Sequence, residues 1–412
     1  MPLPFLPFCP AFQPRRNNGV IEFPVHHMRG GTSTGLVLWE PFAPRAPQLR
    51  AELLRHLMGL PSAGRNDQNR QITGLGRGSP TSNKVFFAAM AADTRSPVLV
   101  STLAQLAHNH ADVDWSVNCG NMSASLQLWA LDTGLLAPAP DGHSALAIRN
   151  TNTGVTTLSR MRTLPDGTFA LAAIPGVDGR YPAVDLFMQD PVGARTGRLL
   201  PTGAVADVID GCRVSCVDVA VPMAICAAAD LGKSGHETMD DLVADAAFMA
   251  RLRTLWIAAG LKMGLQRPDG APMTAADLAR SETIPKICIV GAPRAGGHLA
   301  VRYFTPQHGH ASLAVSGGCC LAAAALIPGS VAHGLVPPAA RASLHVTDAC
   351  TAIQVGLEHP AGILDATVVC RMHTGQLDIR SAAYRRSTQI LVRGHVPLYG
   401  ASDELAAALL PA

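Results

Sequence analysis

Two short junctions, Asn118-Cys119-Gly120 and Ser316-Gly317-Gly318, each lie between strand-like runs and an apolar helical run. The first leads from a strand over Asp112 to Val117 into a helix over Ala124 to Thr133, rich in Leu, Ala and Trp. The second follows a strand over Leu299 to Phe304 and leads into a helix over Leu321 to Leu326. One strand–Gly–helix device, met once in each half of a 412-residue chain, points to two halves of similar layout. Laid over each other, the junctions put Gly317 where the first half has Cys119. A chance echo between two Gly-containing turns is the other reading, and the length suits two or three domains in either case.

A cysteine opening a helix sits where unpaired backbone N–H groups and the positive end of a helix dipole converge. Such a place favours negative charge, either on the thiolate or on a carboxylate beside it. Gly120 would let a ligand approach the backbone, and the Asn121 amide and Ser123 hydroxyl add donors. The same residues also describe a buried structural cysteine beside an Asn-Gly-Asn-type turn.

Upstream, strands over Ile21 to Val25 and Leu36 to Trp39 flank Met28-Arg29-Gly30-Gly31-Thr32-Ser33-Thr34-Gly35. That stretch is either a backbone nest with a guanidinium beside it, suited to an anion, or a plain hairpin turn. It is not a phosphate-binding P-loop, because Gly-Lys-Ser/Thr is absent. Pro47 to Gly59 reads as a helix stopped by Gly59 and Pro61. Gly74-Leu75-Gly76 is no dinucleotide fingerprint, since no buried strand precedes it and Pro80 interrupts any helix. Lys84 stands before the apolar run Val85 to Met90, behind Thr81-Ser82-Asn83. There it is either partly desolvated, with its pKa lowered toward use as a base, or a lysine snorkelling from a strand end.

Further strands are expected over Val98 to Leu106, Ala145 to Arg149, Gly154 to Leu158 and Phe169 to Ile174. The segment Pro175 to Pro201 is dense in Gly, Pro and Asp, and a domain change is placed near Leu200-Pro201-Thr202-Gly203. Beyond it come a strand over Cys212 to Val221 with Cys216 in the core, and a helical region from Asp240 to Gly260. The strand Ile284 to Val290 carries Lys286. His308 and His310 could share one side of a strand as metal ligands, but no third ligand is near, which favours hydrogen bonding or a core place. His359-Pro360-Ala361-Gly362 turns into a strand over Ile363 to Val369, and an Ala/Leu helix follows Tyr399. The expected organisation is an extension over 1–20, domains over 21–200 and 201–398, and a tail over 399–412.

The chain is 48% hydrophobic and 15% charged with a net charge of +3, and it has no basic run to follow nucleic acid. The longest apolar run, near Cys319 to Pro328, is too short to span a bilayer, so no membrane partner is expected. The Pro-punctuated stretch Met1 to Pro14 lacks a basic n-region and a continuous apolar core, unlike a secretory signal. Ten scattered cysteines without a CxxC pair argue against a disulfide scaffold or zinc ribbon and for a reducing cytoplasm. Ala/Leu-rich surface helices make a homodimer available.

Taken in order, Met28-Arg29-Gly30-Gly31-Thr32-Ser33, Thr81-Ser82-Asn83-Lys84-Val85 and Asn118-Cys119-Gly120-Asn121 resemble the 2-methylaconitate isomerase (PrpF) family. Leu200-Pro201-Thr202-Gly203, Pro285-Lys286, Ala292-Pro293-Arg294, His310-Ala311-Ser312 and Glu358-His359-Pro360 extend the likeness, from about Pro24 to about His395. The resemblance implies an α+β, diaminopimelate-epimerase-like fold, with two pseudo-twofold-related domains and the active site in the cleft between them. In each, a mostly antiparallel sheet wraps a central helix. It implies a cofactor-independent isomerase, with no metal, acting on unsaturated di- or tricarboxylates such as aconitate. Lys84 and Cys119 would be its acid/base pair. Substrate contacts would come from Arg29, Gly30, Gly31, Thr32, Ser33, Thr81, Ser82, Asn83, Gly120, Asn121, Met122 and Ser123, and from Lys286, Arg294, His310, Ser316, Gly317 and Gly318. The chain departs from the family at Thr34, where a lysine is frequent, and at Asn83, where serine is usual; both bear on which acid is bound. Two other readings remain: an amino-acid racemase of the same fold, which normally needs two facing cysteines, and a non-enzymatic protein that binds small anions.

Overall fold

In the computed structural model, which describes residues 12–92, 96–115, 118–267, 269–281 and 283–410, the chain forms two units. The first takes residues up to 173, 179–186 and from 386 on; the second takes 174–178 and 187–385. Residues 1–11, most of the expected extension, and Val117 lie outside the described part.

In the first unit a short strand β1 (Arg15–Asn17) pairs with the start of β2 (Val20–Gly30). A tight turn at Gly31-Thr32 sends β2 back antiparallel as β3 (Ser33–Trp39). Helix α1 (Pro47–Met58) begins with Pro at its first position and ends at Gly59, which takes the left-handed conformation a β-carbon would resist. It returns the chain parallel to β3 as β4 (Lys84–Met90), and β5 (Val98–Leu106) pairs antiparallel with β4. After β6 (Val113–Asp114), α2 (Gly120–Ser123) runs through Ala124, itself helical, into α3 (Ser125–Asp132). Strand β7 (His143–Asn150) joins β5 in parallel, and β8 (Thr156–Arg162) and β9 (Leu171–Ile174) follow.

Every residue of α3 from Ser125 to Leu131 is buried, and its two buried polar side chains both donate, Ser125 to the Met122 carbonyl and Gln127 to the Ser144 carbonyl. Trp129 and Leu126 meet Met28, Val37, Phe86, Leu103, Ile148 and Met161 from the surrounding strands. Trimming a buried Trp such as Trp129 to alanine costs about 3–5 kcal/mol. The opposite face of the sheet, with Phe23, Leu36, Val85 and Phe87, packs on α1. Alternate residues of each strand therefore serve two cores.

The segment whose Gly, Pro and Asp suggested a break carries the strand β10 (Val177–Gln189). Val184 and Leu186 are buried there, so pairing and packing override the local composition. The second unit repeats the first. Strands β11 (Asp207–Ile209), β12 (Cys212–Asp218) and β13 (Pro222–Ala227) run antiparallel. The helices α4 (Met239–Ala244), α5 (Ala246–Lys262) and α6 (Ala275–Arg280) lead to β14 (Lys286–Gly291), parallel to β13. Strand β15 (Leu299–Thr305) is antiparallel to β14, and β16 (His308–Gly309) precedes the buried α7 (Val315–Ala325). After α8 (Val331–Leu335) and α9 (Pro338–Arg341), the strands β17 (Thr351–His359), β18 (Gly362–His373) and β19 (Gln376–Leu398) close the set. The far part of β19 pairs with β2, and α10 (Asp403–Leu409) packs Leu405 and Leu409 into the α1 core. Helix α7 begins six residues before Leu321, because Gly317 and Gly318 are drawn into the helix by their packing.

Candidate active site

Lys84 opens β4 and is only 6% exposed. It lies on the same face as Phe86, the face that covers α3. Burial pushes its ammonium below the ordinary lysine value, and the negative charge available to Cys119 partly opposes the shift. The two side chains are thus within electrostatic reach of one another. Cys119 is half-buried at the cap of α2, where its Sγ accepts from the Met122 N–H at 3.4 Å and lies 4.0 Å from the Ser33 Oγ. With Met122 so occupied, the N–H groups of Gly120 and Asn121 have no acceptor within the helix.

Glycines bring these parts together. A β-carbon at Gly30 would stand 2.5 Å from the Asn121 carbonyl oxygen, and one at Gly31 would stand 2.5 Å from the Asn121 Oδ1. The Gly31 N–H is committed to the Ser387 carbonyl, so what these two glycines supply is close approach of the hairpin to α2. The Asn121 Nδ2 donates to the Thr32 Oγ1 at 3.3 Å and ties the two from the other side.

Several other groups are engaged locally. The Arg29 Nη1 donates to the carbonyls of Gly31 and Ser387 at 2.8 and 3.1 Å, and its guanidinium stacks 4.6 Å from the Tyr181 ring centre. Its Nη2 is buried without a partner among the described residues. Asn83 is fully buried, donating to the Gln71 Oε1 at 2.9 Å and accepting from the Arg77 N–H at 3.3 Å. It shapes the loop before Lys84. The Ser123 Oγ donates to the Cys119 carbonyl at 2.8 Å, and Met122 belongs to the α3 core. Thr81 is exposed, its Oγ1 2.7 Å from that of Ser79, and Ser82 is half-buried.

In the second unit Lys286 opens β14, half-buried, and burial lowers its ammonium to about 8. Arg294 is exposed on a loop moulded by one carboxylate: Glu358 accepts the N–H groups of Arg294, Ala295 and Gly297 at 2.8, 2.6 and 2.8 Å. Burial alone would raise the Glu358 carboxyl, but these bonds outweigh it and hold it below the usual range. The His310 Nδ1 accepts from the Ser312 N–H at 3.0 Å, and its ring meets Tyr303 edge-on. Ser316, Gly317 and Gly318 form the first turn of α7, and the Gly318 N–H is already bonded to the Ala314 carbonyl at 2.8 Å. β-Carbons at Gly317 and Gly318 would run into Tyr303 and Tyr384.

The model of the PrpF protein family matches residues 20–399, nearly the whole chain. The chain belongs to the PrpF family. A 4-oxalomesaconate tautomerase of Pseudomonas putida is 34% identical over 92% of this chain and 96% of its own. A (4E)-oxalomesaconate Δ-isomerase of a Novosphingobium species is 32% identical over 93% and 99%. A crystal structure of a methylitaconate Δ-isomerase superposes with a TM-score of 0.75 at 26% identity, covering 95% of this chain and 98% of that one. The fold is that of the methylitaconate Δ-isomerase structure, and this member of the PrpF family is an isomerase.

Four residues of this PrpF-family chain have structural roles that no sequence motif assigned to them. A β-carbon on Gly35 would collide with the Lys84 carbonyl; a glycine inside a strand is the signal for such an approach. Gln71 is buried and holds both Asn83 and the Gly78 N–H, which no local pattern announces. His27 is 5% exposed and lowered to about 4 by burial, with Arg77 adding to it. The Glu358 carboxylate was visible as part of a motif, but its three backbone partners lie some sixty residues away in sequence.

Proposed function

We propose that the protein moves or isomerises a carbon–carbon double bond in an unsaturated di- or tricarboxylate, without a cofactor, by proton transfer between Lys84 and Cys119. The relatives named for oxalomesaconate and methylitaconate set the substrate class: acids in which an alkene is conjugated to a carboxylate. Taking an allylic C–H proton from such an acid gives a carbanion spread over the alkene and the carboxylate. Returning a proton at the far carbon shifts the double bond; returning it after rotation changes the geometry.

The observation that carries this reading is the desolvated Lys84 within reach of the Cys119 charge. A desolvated amine is neutral in a larger fraction at working pH and can act as base, while the thiol delivers the proton; the reverse assignment uses the same pair. The N–H groups of Gly120 and Asn121, which have no acceptor within the helix, lie beside the thiol, where they can stabilise the carboxylate that gathers charge, an effect worth several kcal/mol. Acid and base add roughly 10²–10⁴-fold.

A racemase with two thiols is disfavoured by α7, whose cap is Ala314 and whose Cys319 and Cys320 are wholly buried in the core. An ultraviolet assay on cis- and trans-aconitate, 2-methylaconitate and 4-oxalomesaconate, run in deuterium oxide, tests the proposal. Turnover with deuterium in the product is expected; binding without exchange would reduce the protein to an anion binder, and full turnover by Lys84→Ala would remove the assigned pair.

A further inference from the structure

The polar segment between α1 and β4 gathers positive charge at one place in the first unit. Arg70, Arg77 and His108 line a concavity of about 550 Å³, to which Asp67 contributes a carboxylate. That carboxylate is already engaged: Asp67 accepts from the Arg65 Nε and the Asn109 Nδ2, both at 2.7 Å, and His108 lies within its electrostatic reach. The two guanidiniums are not. Arg70 and Arg77 are exposed, and among the described residues neither head group has a hydrogen-bond or ion-pair partner. Two cations brought to one concavity repel, and an oxyanion between them turns that repulsion into charge-assisted contacts.

A second observation lies on β2. The Nε2 of the buried His27 has no hydrogen-bond partner among the described residues, and the Arg77 charge adds to burial in keeping that imidazole neutral. Arg77 therefore carries a charge that reaches the sheet and that no anion offsets. The loop is also tied to Lys84. The Arg77 N–H donates to the Asn83 Oδ1 at 3.3 Å, while the Gln71 Oε1 accepts from the Gly78 N–H at 2.8 Å and the Asn83 Nδ2 at 2.9 Å. Asn83 directly precedes Lys84, and Arg70 directly precedes Gln71. A ligand that bridges Arg70 and Arg77 would fix both ends of the clasp around Asn83.

We propose that Arg70, Arg77 and His108 form an oxyanion site, filled by free phosphate or by a carboxylate of a small organic acid, and that the bound anion pins the loop leading to Lys84. The site goes beyond the isomerase reading and does not depend on it.

The test uses the full chain with Arg70→Gln and Arg77→Gln, and with Arg45→Gln, another exposed arginine, as control. Folding of each is checked by circular dichroism. Inorganic phosphate is titrated calorimetrically, with chloride holding the ionic strength constant because exposed charges are screened by salt. Arg70→Gln and Arg77→Gln are each expected to raise the phosphate Kd about tenfold or more, the loss of a hydrogen bond between charged groups, while Arg45→Gln leaves it unchanged. Phosphate should also slow amide exchange over residues 77–84 and move the ring nitrogen signals of His27, in the wild type and not in Arg77→Gln. Tricarballylate, a saturated tricarboxylate, is titrated in the same way: whichever anion shows the lower arginine-dependent Kd identifies the source. No binding of either anion, or a Kd equal in the wild type and both arginine variants, overturns the site. Binding that leaves exchange over 77–84 unchanged overturns the pinning of the loop. None of these readouts uses turnover, so a protein that isomerises none of the unsaturated acids would lose the isomerase reading and keep the anion site.

Discussion

Gly35 leaves empty the space that Lys84 fills: a β-carbon at Gly35 would meet the Lys84 carbonyl and lie 3.1 Å from the Lys84 Cβ. Strand β3 can therefore press against the first residue of β4, which sets where the Lys84 side chain leaves the backbone. Gly35→Ala is expected to destabilise the protein by about 1–3 kcal/mol, the range for overpacking a core. If Lys84 carries the proton as proposed, the substitution should also lower kcat more than it raises KM, because that amine is displaced. Urea melts paired with steady-state kinetics would check both; an alanine accepted without loss of kcat would mean Lys84 needs no such registry.

Lys84→Met and Cys119→Ala should each lower kcat by about 10²–10⁴-fold with folding intact. The pH profile carries the sign. If neutral Lys84 is the base, activity rises with pH as the ammonium loses its proton, and burial puts that limb below the ordinary lysine value. The rising limb should vanish in Lys84→Met. A profile with the same limb in the variant would assign the titration to another group.

Lys286 gives a separate dependence, this time of stability. Its folded value, about 8, lies below the usual 10.5, so between the two the unfolded chain binds more protons. The Lys286 contribution thus makes the ligand-free protein more stable as pH rises through that window, and the burden is fullest below about 8. Lys286→Met should raise the melting temperature by a few degrees at pH 7 and by less at pH 10. Melting curves at the two values, without ligand, measure the difference.

Glu358→Ala leaves three backbone N–H groups without their acceptor and should cost about 1–3 kcal/mol. Because the Glu358 carboxyl sits below its usual range, its stabilisation is complete above the unfolded value near 4.5 and is lost as pH falls through the folded one. A wild-type stability advantage over the variant that shrinks in acid is the expected result. Kinetically, a loosened Arg294 loop should show as a higher KM, which Glu358→Gln repairs only in part.

Local order was legible in the amino acids themselves. The helix Pro47–Met58 announced both its ends through Pro47 and Gly59, and Val98–Leu106 was readable to the residue, since such signals act over a few positions. The order of Arg29-Gly30-Gly31-Thr32-Ser33, Lys84 and Cys119-Gly120-Asn121 pointed to the family, because motif order survives when overall identity does not. Strand β10 was hidden, its Gly179 and Pro182 reading as a break until partners were in place. Only the tertiary structure decided that Asn83 is fully buried among Gln71 and Arg77, that Gly30 and Gly35 serve close contact, and that Lys84 and Lys286 hold matching places in two units. Propensity and turn chemistry are local, whereas burial, the lowered lysines and the engagement of each donor arise from residues distant in the chain, which no short window contains.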